Sequence, residues 1–253
     1  MDIVIIGSGN VAAVLAEKFK SAGHTILQIY SRNASAASAL AYKIDTESTN
    51  YKSLINKNAD VYLIAVKDDA IDDVLDELRL PGKIVVHTSA AVSKDVLKKV
   101  TEHYGVFYPL QSLRKEMAIL PDVPIFFDGS DDKTKKILEQ LAQSISAGKV
   151  MEAGDDARLK LHVAAVVVSN FVNHLYTLAE DYCRKEGLDF KQLLPLIQET
   201  ASRLKDTSPQ QAQTGPAIRH DSETIHKHLE LLKAHPQLKN LYVLLTESIQ
   251  QTK

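Results

Sequence analysis

Cysteine is almost missing from this chain. Cys183 is the one thiol in 253 residues, so no intramolecular disulfide can form and a Cys-rich zinc site is excluded. An excess of charge of one sign is missing too. Thirty Lys and Arg stand against 32 Asp and Glu, a formal net charge of −2 with His neutral. No basic run occurs, which removes the electrostatic case for nucleic acid or an acidic membrane surface. Long hydrophobic runs are absent as well. The most apolar stretch, "VAAVVVSNF" (163–171), falls well short of the roughly 20 residues that span a bilayer. The opening "MDIVIIGSG" has no basic segment and no cleavage site of a signal peptide. The expectation is a cytoplasmic protein with no nucleic-acid or membrane partner.

What is present is ordinary globular composition, 45% hydrophobic and 25% charged, enough for one large domain or two moderate ones. Up to about residue 150, apolar runs alternate with amphipathic stretches. Strands are expected at 2–7, 24–30, 60–66, 83–88, 105–110 and 123–129, and helices at 10–22, 34–42, 69–78, 93–103 and 132–147. Continuous apolar strands suit a sheet covered on both faces. Strand–helix alternation predicts right-handed crossovers and a doubly wound, mostly parallel α/β sheet. After "GKVMEAGDDAR" no further strand is legible, and four or so helical stretches follow, interrupted at 206–221 by Pro209, Gly215 and Pro216. The expected division is an α/β domain at 1–153 and an all-helical domain at 154–253.

The first strand runs into "GSGNVA" (7–12) and then "VLAEKFKSAG", the pattern G-x-G-x-x-A between a strand and a helix. Gly7 permits the tight turn, Gly9 lets the backbone approach a pyrophosphate, and Ala12 allows close helix–strand packing. With Ser8, Asn10 and Val11 they form a candidate dinucleotide loop, whose helix N-terminus offers free N–H groups to phosphate. The second strand ends in "YSRN", which presents Ser31, Arg32 and Asn33 where an NAD-specific chain carries Asp or Glu. A carboxylate repels a 2′-phosphate; an arginine pairs with it. NADP(H) is the expected cofactor. Later strand ends place Val66, Lys67, His87, Thr88 and Ser89 along the nicotinamide half of the groove, although "HTSA" also suits a capping or turn role. Gln111 and Ser112, from "YPLQS", fall at the rim.

The stretch "LKLHVAAVVVSN" (159–170) reads as a buried helix carrying His162 and Asn170. At about 100° per residue, Arg158, His162, Ser169, Asn173 and Glu180 lie within about 40° of one direction. A narrow polar stripe on an apolar helix fits either a wall of a cleft or a polar seam at a helix contact. "HKH" (226–228) is no metal pair, because residues two apart diverge by about 200° on a helix; no metal site is expected.

These features together resemble the superfamily of ketopantoate reductase, pyrroline-5-carboxylate reductase and 6-phosphogluconate dehydrogenase. More closely, "HTSA", "YPLQSL", "HVAAVVVSN" and "TGPAIRHD" look like a subgroup of NADP-dependent oxidoreductases whose C-terminal half is a domain of unknown function. The resemblance implies a helical domain that dimerises and closes over the nicotinamide. In the reductase relatives the first long helix carries a lysine with asparagines four and eight residues on. Those positions are His162, Val166 and Asn170 here, so the chain departs at two of three. A histidine still suits general acid–base work, its ordinary pKa lying near 6.5. Arg219 and Asp221 of "TGPAIRHD" are expected either to bind substrate or to pair with each other.

The expected activity is NADP-dependent hydride transfer to or from a small polar molecule such as a keto acid or imine, with His162 and Asn170 catalytic. The missing lysine keeps a second expectation open: a non-catalytic NADP(H)-binding redox sensor. A homodimer through 154–253 is expected in either case.

Overall fold

The computed structural model of the chain describes residues 1–117, 119–147 and 149–252. Two compact units make it up, Met1–Val167 and Val168–Lys253.

The first unit is built on β1 (Asp2–Ile6), β2 (Thr25–Tyr30), β3 (Glu47–Thr49), β4 (Val61–Ile64), β5 (Ile84–His87), β6 (His103–Pro109), β7 (Ile125–Gly129) and β8 (Val150–Glu152). They hydrogen-bond in the order β3-β2-β1-β4-β5-β6-β7-β8. Among the described residues only β6 and β7 pair antiparallel. Helices α1 (Asn10–Ser21), α2 (Ala34–Ile44), α3 (Ile71–Leu75) and α4 (Asp132–Ile145) cover the sheet. This is a Rossmann-type doubly wound sheet. The strand order reverses between β1 and β4, and a crevice forms there at the carboxyl edge.

Alternation along the strands explains the two layers. Ile3 and Ile5 of β1 pack with Leu15 and Phe19 of α1, while Val4 and Ile6 face the other way onto Ile71, Val74 and Leu75. Every one of the four is fully buried. A strand read by water on neither face has no reason to carry polar residues, hence the unbroken apolar runs.

The six expected strands are all formed. β3 and β8 were not legible, being three residues each. The helix expected over 93–103 is instead a 3₁₀ segment, Lys94–Lys99, because β6 begins as early as His103 and takes up the chain beyond it. The helix expected over 69–78 is a 3₁₀ turn at Asp68–Ala70 followed by the five-residue α3.

Beyond β8 comes a helix continuous over Asp155–Lys185. It consists of α5 (Asp155–Ala165), a π-helical stretch at Val166–Phe171 and α6 (Val172–Lys185). The second unit continues with α7 (Leu194–Ser202), α8 (Pro209–Ala212), α9 (Ser222–Leu231) and α10 (Pro236–Gln251). Prolines open α8 and α10, where a missing N–H costs nothing.

The long helix corrects two expectations. Its sequence suggests a buried helix, yet Leu159, Val163, Val167, Val168 and Phe171 are all exposed, and α5 buries Arg158 alone. The apolar positions face outward from this single chain, so composition that suits a core is spent on an uncovered face. Its most apolar run alone is too short to cross a bilayer. At 31 residues the whole helix is long and apolar enough to do so by length and composition. Interior helices of water-soluble proteins reach the same length and composition. The π-helical stretch also turns fewer degrees per residue than an α-helix, so the stripe projected at 100° does not continue in register past Ala165.

Candidate functional site

At the switch point, Gly7 has φ +132° and its N–H donates to the Tyr30 carbonyl at 2.7 Å. A Cβ at Gly7 would collide with the backbone carbonyl of Ala65 at the end of β4. Glycine is required there by the protein itself. Gly9 is different: its φ of −80° is open to any residue, and a Cβ on it would meet no atom within 4 Å. Ala12 is fully buried beneath, where only a small side chain lets α1 approach the sheet.

Gly9 also caps α1 without a side chain, and the first turn of that helix carries no acidic residue. Free N–H groups and the positive end of the helix dipole therefore face open space. The groove over them encloses about 660 Å³. It brings together most of the residues expected to meet a dinucleotide: Gly7, Ser8, Gly9, Asn10, Val11, Ser31, Arg32, Asn33, Val66, Lys67 and Thr88 all line it. Tyr30, Ala65, Asp69, Ala70 and Val74 line it too and were not foreseen.

Local bonds explain how the rim is held. The Ser8 hydroxyl donates to Ser31 Oγ at 2.9 Å, tying the glycine loop to the end of β2. Asn33 Oδ1 accepts from the Ala36 N–H at 3.0 Å and so caps α2, leaving its amide N–H groups for other partners. Arg32 is exposed and pairs with Asp73 at 3.2 Å. A pair so open to water contributes about 0–1 kcal/mol, so a phosphate competes easily for the guanidinium.

His87 and Ser89 are not in the groove lining. His87 is fully buried; its Nδ1 accepts from the Ser89 N–H at 3.2 Å, and the opposite nitrogen meets the Ser93 carbonyl at 3.3 Å. An accepting Nδ1 places the ring proton on Nε2, which donates to Ser93. Burial pushes the imidazole down to about 4, with Arg158 adding to the effect, so it is neutral at pH 7. Ser89 Oγ accepts from the Ala91 and Val92 N–H groups, both at 3.1 Å. Both side chains shape the turn after β5: the buried His87 ring has its two nitrogens engaged with backbone and none to offer a ligand, which corrects its expected contact, while Ser89 keeps its hydroxyl proton uncommitted. Gln111 and Ser112 are exposed just beyond β6, with Gln111 Oε1 accepting from the Ser112 N–H at 2.9 Å. Nearby, Asn10 Oδ1 accepts from the Lys115 N–H at 3.3 Å, so this loop borders the glycine turn.

His162 lies on α5, and its Nδ1 is 3.0 Å from the Tyr108 hydroxyl, with the rings edge to face. Tyr108 stands near the carboxyl end of β6, which runs parallel to β5. The pair stands toward the carboxyl edge of the sheet, the edge that also carries the glycine loop, and neither residue lines the groove itself. One turn earlier, Arg158 is 1% exposed. Its Nε donates to the Ala90 carbonyl and its Nη2 to the Val92 carbonyl and to Asp155. The remaining Nη1 is buried without a partner among the described residues. Asp155 is held below its ordinary value: burial raises it, but hydrogen bonds from Ser93 and Arg158 outweigh that. Burial raises the Tyr108 phenol, and the Arg158 charge acts against it.

Tyr108 was missed, because it sits inside an apolar strand run. Arg158 was legible as a member of the polar stripe that carries His162, but not as a buried partner of the turn after β5.

The other expected residues belong to the second unit. Asn170 is exposed within the π-helical stretch. Asp221 caps α9, accepting from the Thr224 N–H at 3.0 Å and its hydroxyl at 2.8 Å. Those bonds hold its carboxyl below the usual range. Arg219 is exposed, and His220 between them has φ +53°. No group of three or more potential metal ligands occurs among the described residues.

Comparison with known proteins agrees with this geometry. Residues 123–249 match a domain of unknown function, DUF2520, and residues 2–91 match the family described as NADP oxidoreductase, coenzyme F420-dependent. No curated protein matches the chain. The crystal structure of a "putative NADP oxidoreductase" from Bacteroides fragilis is 36% identical, with a TM-score of 0.90, 99% of this chain and 98% of that one being covered. An imine reductase from Myxococcus stipitatus in complex with NADP⁺ shares the fold at 16% identity and a TM-score of 0.68, covering 99% of this chain and 93% of its own. A 1-pyrroline-5-carboxylate reductase from Streptococcus pyogenes does so at 15% and 0.65, covering 100% and 99%. The chain therefore belongs to the family that joins an NADP oxidoreductase-type Rossmann domain to a DUF2520 helical domain.

Proposed function

We propose that this protein is an NADP(H)-dependent oxidoreductase that moves a hydride between the nicotinamide and a small polar substrate of keto-acid or imine type. Gly9 carries the reading. Nothing inside the protein demands a glycine there, since its φ is ordinary and a side chain would project into empty space. The space is reserved for something from outside, beside an uncapped helix N-terminus suited to a pyrophosphate. Arg32, with no carboxylate at the end of β2, selects a 2′-phosphate, and Ser31 adds a hydroxyl donor.

In this reading residues 1–153 bind the cofactor and 154–253 serve substrate binding and assembly. The bound nicotinamide supplies the hydride chemistry. The chain supplies orientation and a proton. The N–H groups opening α1 hold the pyrophosphate, and Thr88 and Val66 wall the groove toward the ends of β4 and β5. His162 is the acid or base, and no step is assigned to Asn170, Arg219 or Asp221. The protein acts in the cytoplasm as a homodimer.

Calorimetric titration tests the cofactor. NADPH should bind at least about tenfold more tightly than NADH, roughly 1.4 kcal/mol, and Arg32→Ala should remove most of that difference. Equal affinities overturn the assignment. NADPH consumption over a panel of keto acids and imines tests the activity. His162→Ala should lower turnover by about 10²–10⁴ while NADPH affinity holds. Tight binding with no turnover on any member points to a redox sensor instead.

A further inference from the structure

Tyr108 and His162 form a hydrogen-bonded pair that the proposed activity uses only in part. Tyr108 is buried, held among Val106, Phe126, Ala90 and Ala153, with Leu161 of α5 against it. Among the described residues its hydroxyl has one hydrogen-bond partner, His162 Nδ1 at 3.0 Å. His162 Nε2, on the far side of the ring, has no protein partner among the described residues.

A buried phenol is poorly ionised, so at neutral pH its proton is present and must be donated somewhere. The available acceptor is Nδ1. A neutral imidazole that accepts at Nδ1 carries its own proton on Nε2. A carboxylate at the position of the phenol would favour a charged imidazole; a hydroxyl imposes no charge.

We infer that Tyr108 is a positioning residue and proton reservoir: it fixes His162 as the Nε2–H tautomer and refills Nδ1 when the Nε2 proton leaves. This rests on the reading of His162 as the acid. A carbonyl oxygen or imine nitrogen whose carbon is being reduced would take its proton from Nε2. The phenolic proton moves to Nδ1 in the same event. The imidazole ends neutral in its other tautomer, and the negative charge resides on the Tyr108 oxygen until solvent returns a proton. An alkoxide is far more basic than a phenolate, so the transfer runs downhill. Arg158 stands one helical turn before His162, with a buried Nη1 that lacks a partner. Its charge favours the phenolate, in keeping with its effect on Tyr108.

The relay predicts a substrate group that accepts a hydrogen bond, a carbonyl oxygen or imine nitrogen. A thiol or ammonium donor does not fit a pair whose exposed atom is itself a donor.

Nitrogen NMR of the ¹⁵N-labelled full-length chain at pH 8 tests the pair without any turnover. The two-bond couplings to the ring protons distinguish the tautomers, and His162→Gln identifies the resonances by their loss. The expected wild-type pattern is a protonated Nε2 with a bare, hydrogen-bonded Nδ1. Tyr108→Phe keeps the buried ring and should shift His162 toward a mixture of tautomers. A protonated Nδ1 in the wild type, or an unchanged pattern in Tyr108→Phe, overturns the inference. Either result leaves the role of His162 itself to be judged by the turnover of His162→Ala, so the two failures are distinguishable.

Discussion

Two glycines separated by one residue, Gly7 and Gly9, divide what the fold needs from what a ligand needs. Gly7 is demanded by φ +132° and by the carbonyl of Ala65; Gly9 is demanded by neither conformation nor neighbours. Gly7→Ala should therefore cost stability, at least about 2 kcal/mol from strain and overpacking. Gly9→Ala should leave the chain as stable or up to about 1 kcal/mol more so, through a less flexible unfolded chain. Its loss should appear only as NADPH affinity weakened tenfold or more. Urea denaturation beside cofactor titration checks both; a Gly9→Ala protein that unfolds early, or binds normally, contradicts the division. The glycine loop was legible because its spacing reflects a backbone need. Tyr108 was not, because a buried tyrosine in an apolar strand is indistinguishable from packing until a partner from α5, more than 50 residues on, is seen beside it. His87 was legible as polar but not in role: its ring serves two backbone groups and no ligand.

Among the elements, the turn that follows β5 depends on a histidine that stays neutral. An unfolded histidine titrates near 6.5, whereas buried His87 does so at about 4. Below pH 6.5 the unfolded chain binds a proton that the folded chain refuses. The contribution is fully present above pH 6.5, declines as pH falls and levels off below about pH 4, a loss on the order of 3 kcal/mol. His87→Asn, which can still accept from Ser89 and donate to Ser93, should flatten that part of the profile. Urea midpoints of the two proteins between pH 7 and pH 4 measure it, and parallel curves refute it. Element types in the first unit followed from apolar runs and their spacing. The pieces that escaped, β3 and β8, are too short for periodicity to register, and at Lys94–Lys99 the period was read but the early start of β6 leaves only a 3₁₀ segment. On the long helix the period itself misled, since the π-helical stretch breaks the 3.6-residue repeat that the projection assumed.

For the molecule as a whole, the contrast between the units is one of burial. Among the described residues of the second unit only Cys183, Ala217, Leu232 and His235 are buried. Leu194, Leu196, Leu204, Leu231, Leu244 and Leu245 are exposed there. A unit of this size with so little interior is far from the coverage that stabilises an isolated domain. A second copy is the partner proposed for it, two-fold dimers being the commonest closed assembly. Sedimentation at micromolar concentration should give a dimer that persists at high salt, because apolar contacts are not screened. A monomer, or a chain recovered only with membranes, contradicts this. The doubly wound sheet was legible from the sequence, since its strands carry their own covering pattern. The exposure of the long helix was not, because an apolar face looks the same in sequence whether its cover comes from the same chain or another.

The ion pair at the groove rim has a consequence for the speed of cofactor capture. Arg32 is already matched by Asp73, and Lys67 shares the groove with Asp69, on a chain of net charge −2. Little unopposed positive field reaches outward to draw in an anionic nucleotide. For the proposed cofactor, encounter should then be set by diffusion and orientation, with weak dependence on ionic strength, and discrimination between phosphorylated and unphosphorylated ribose should fall to the dissociation step.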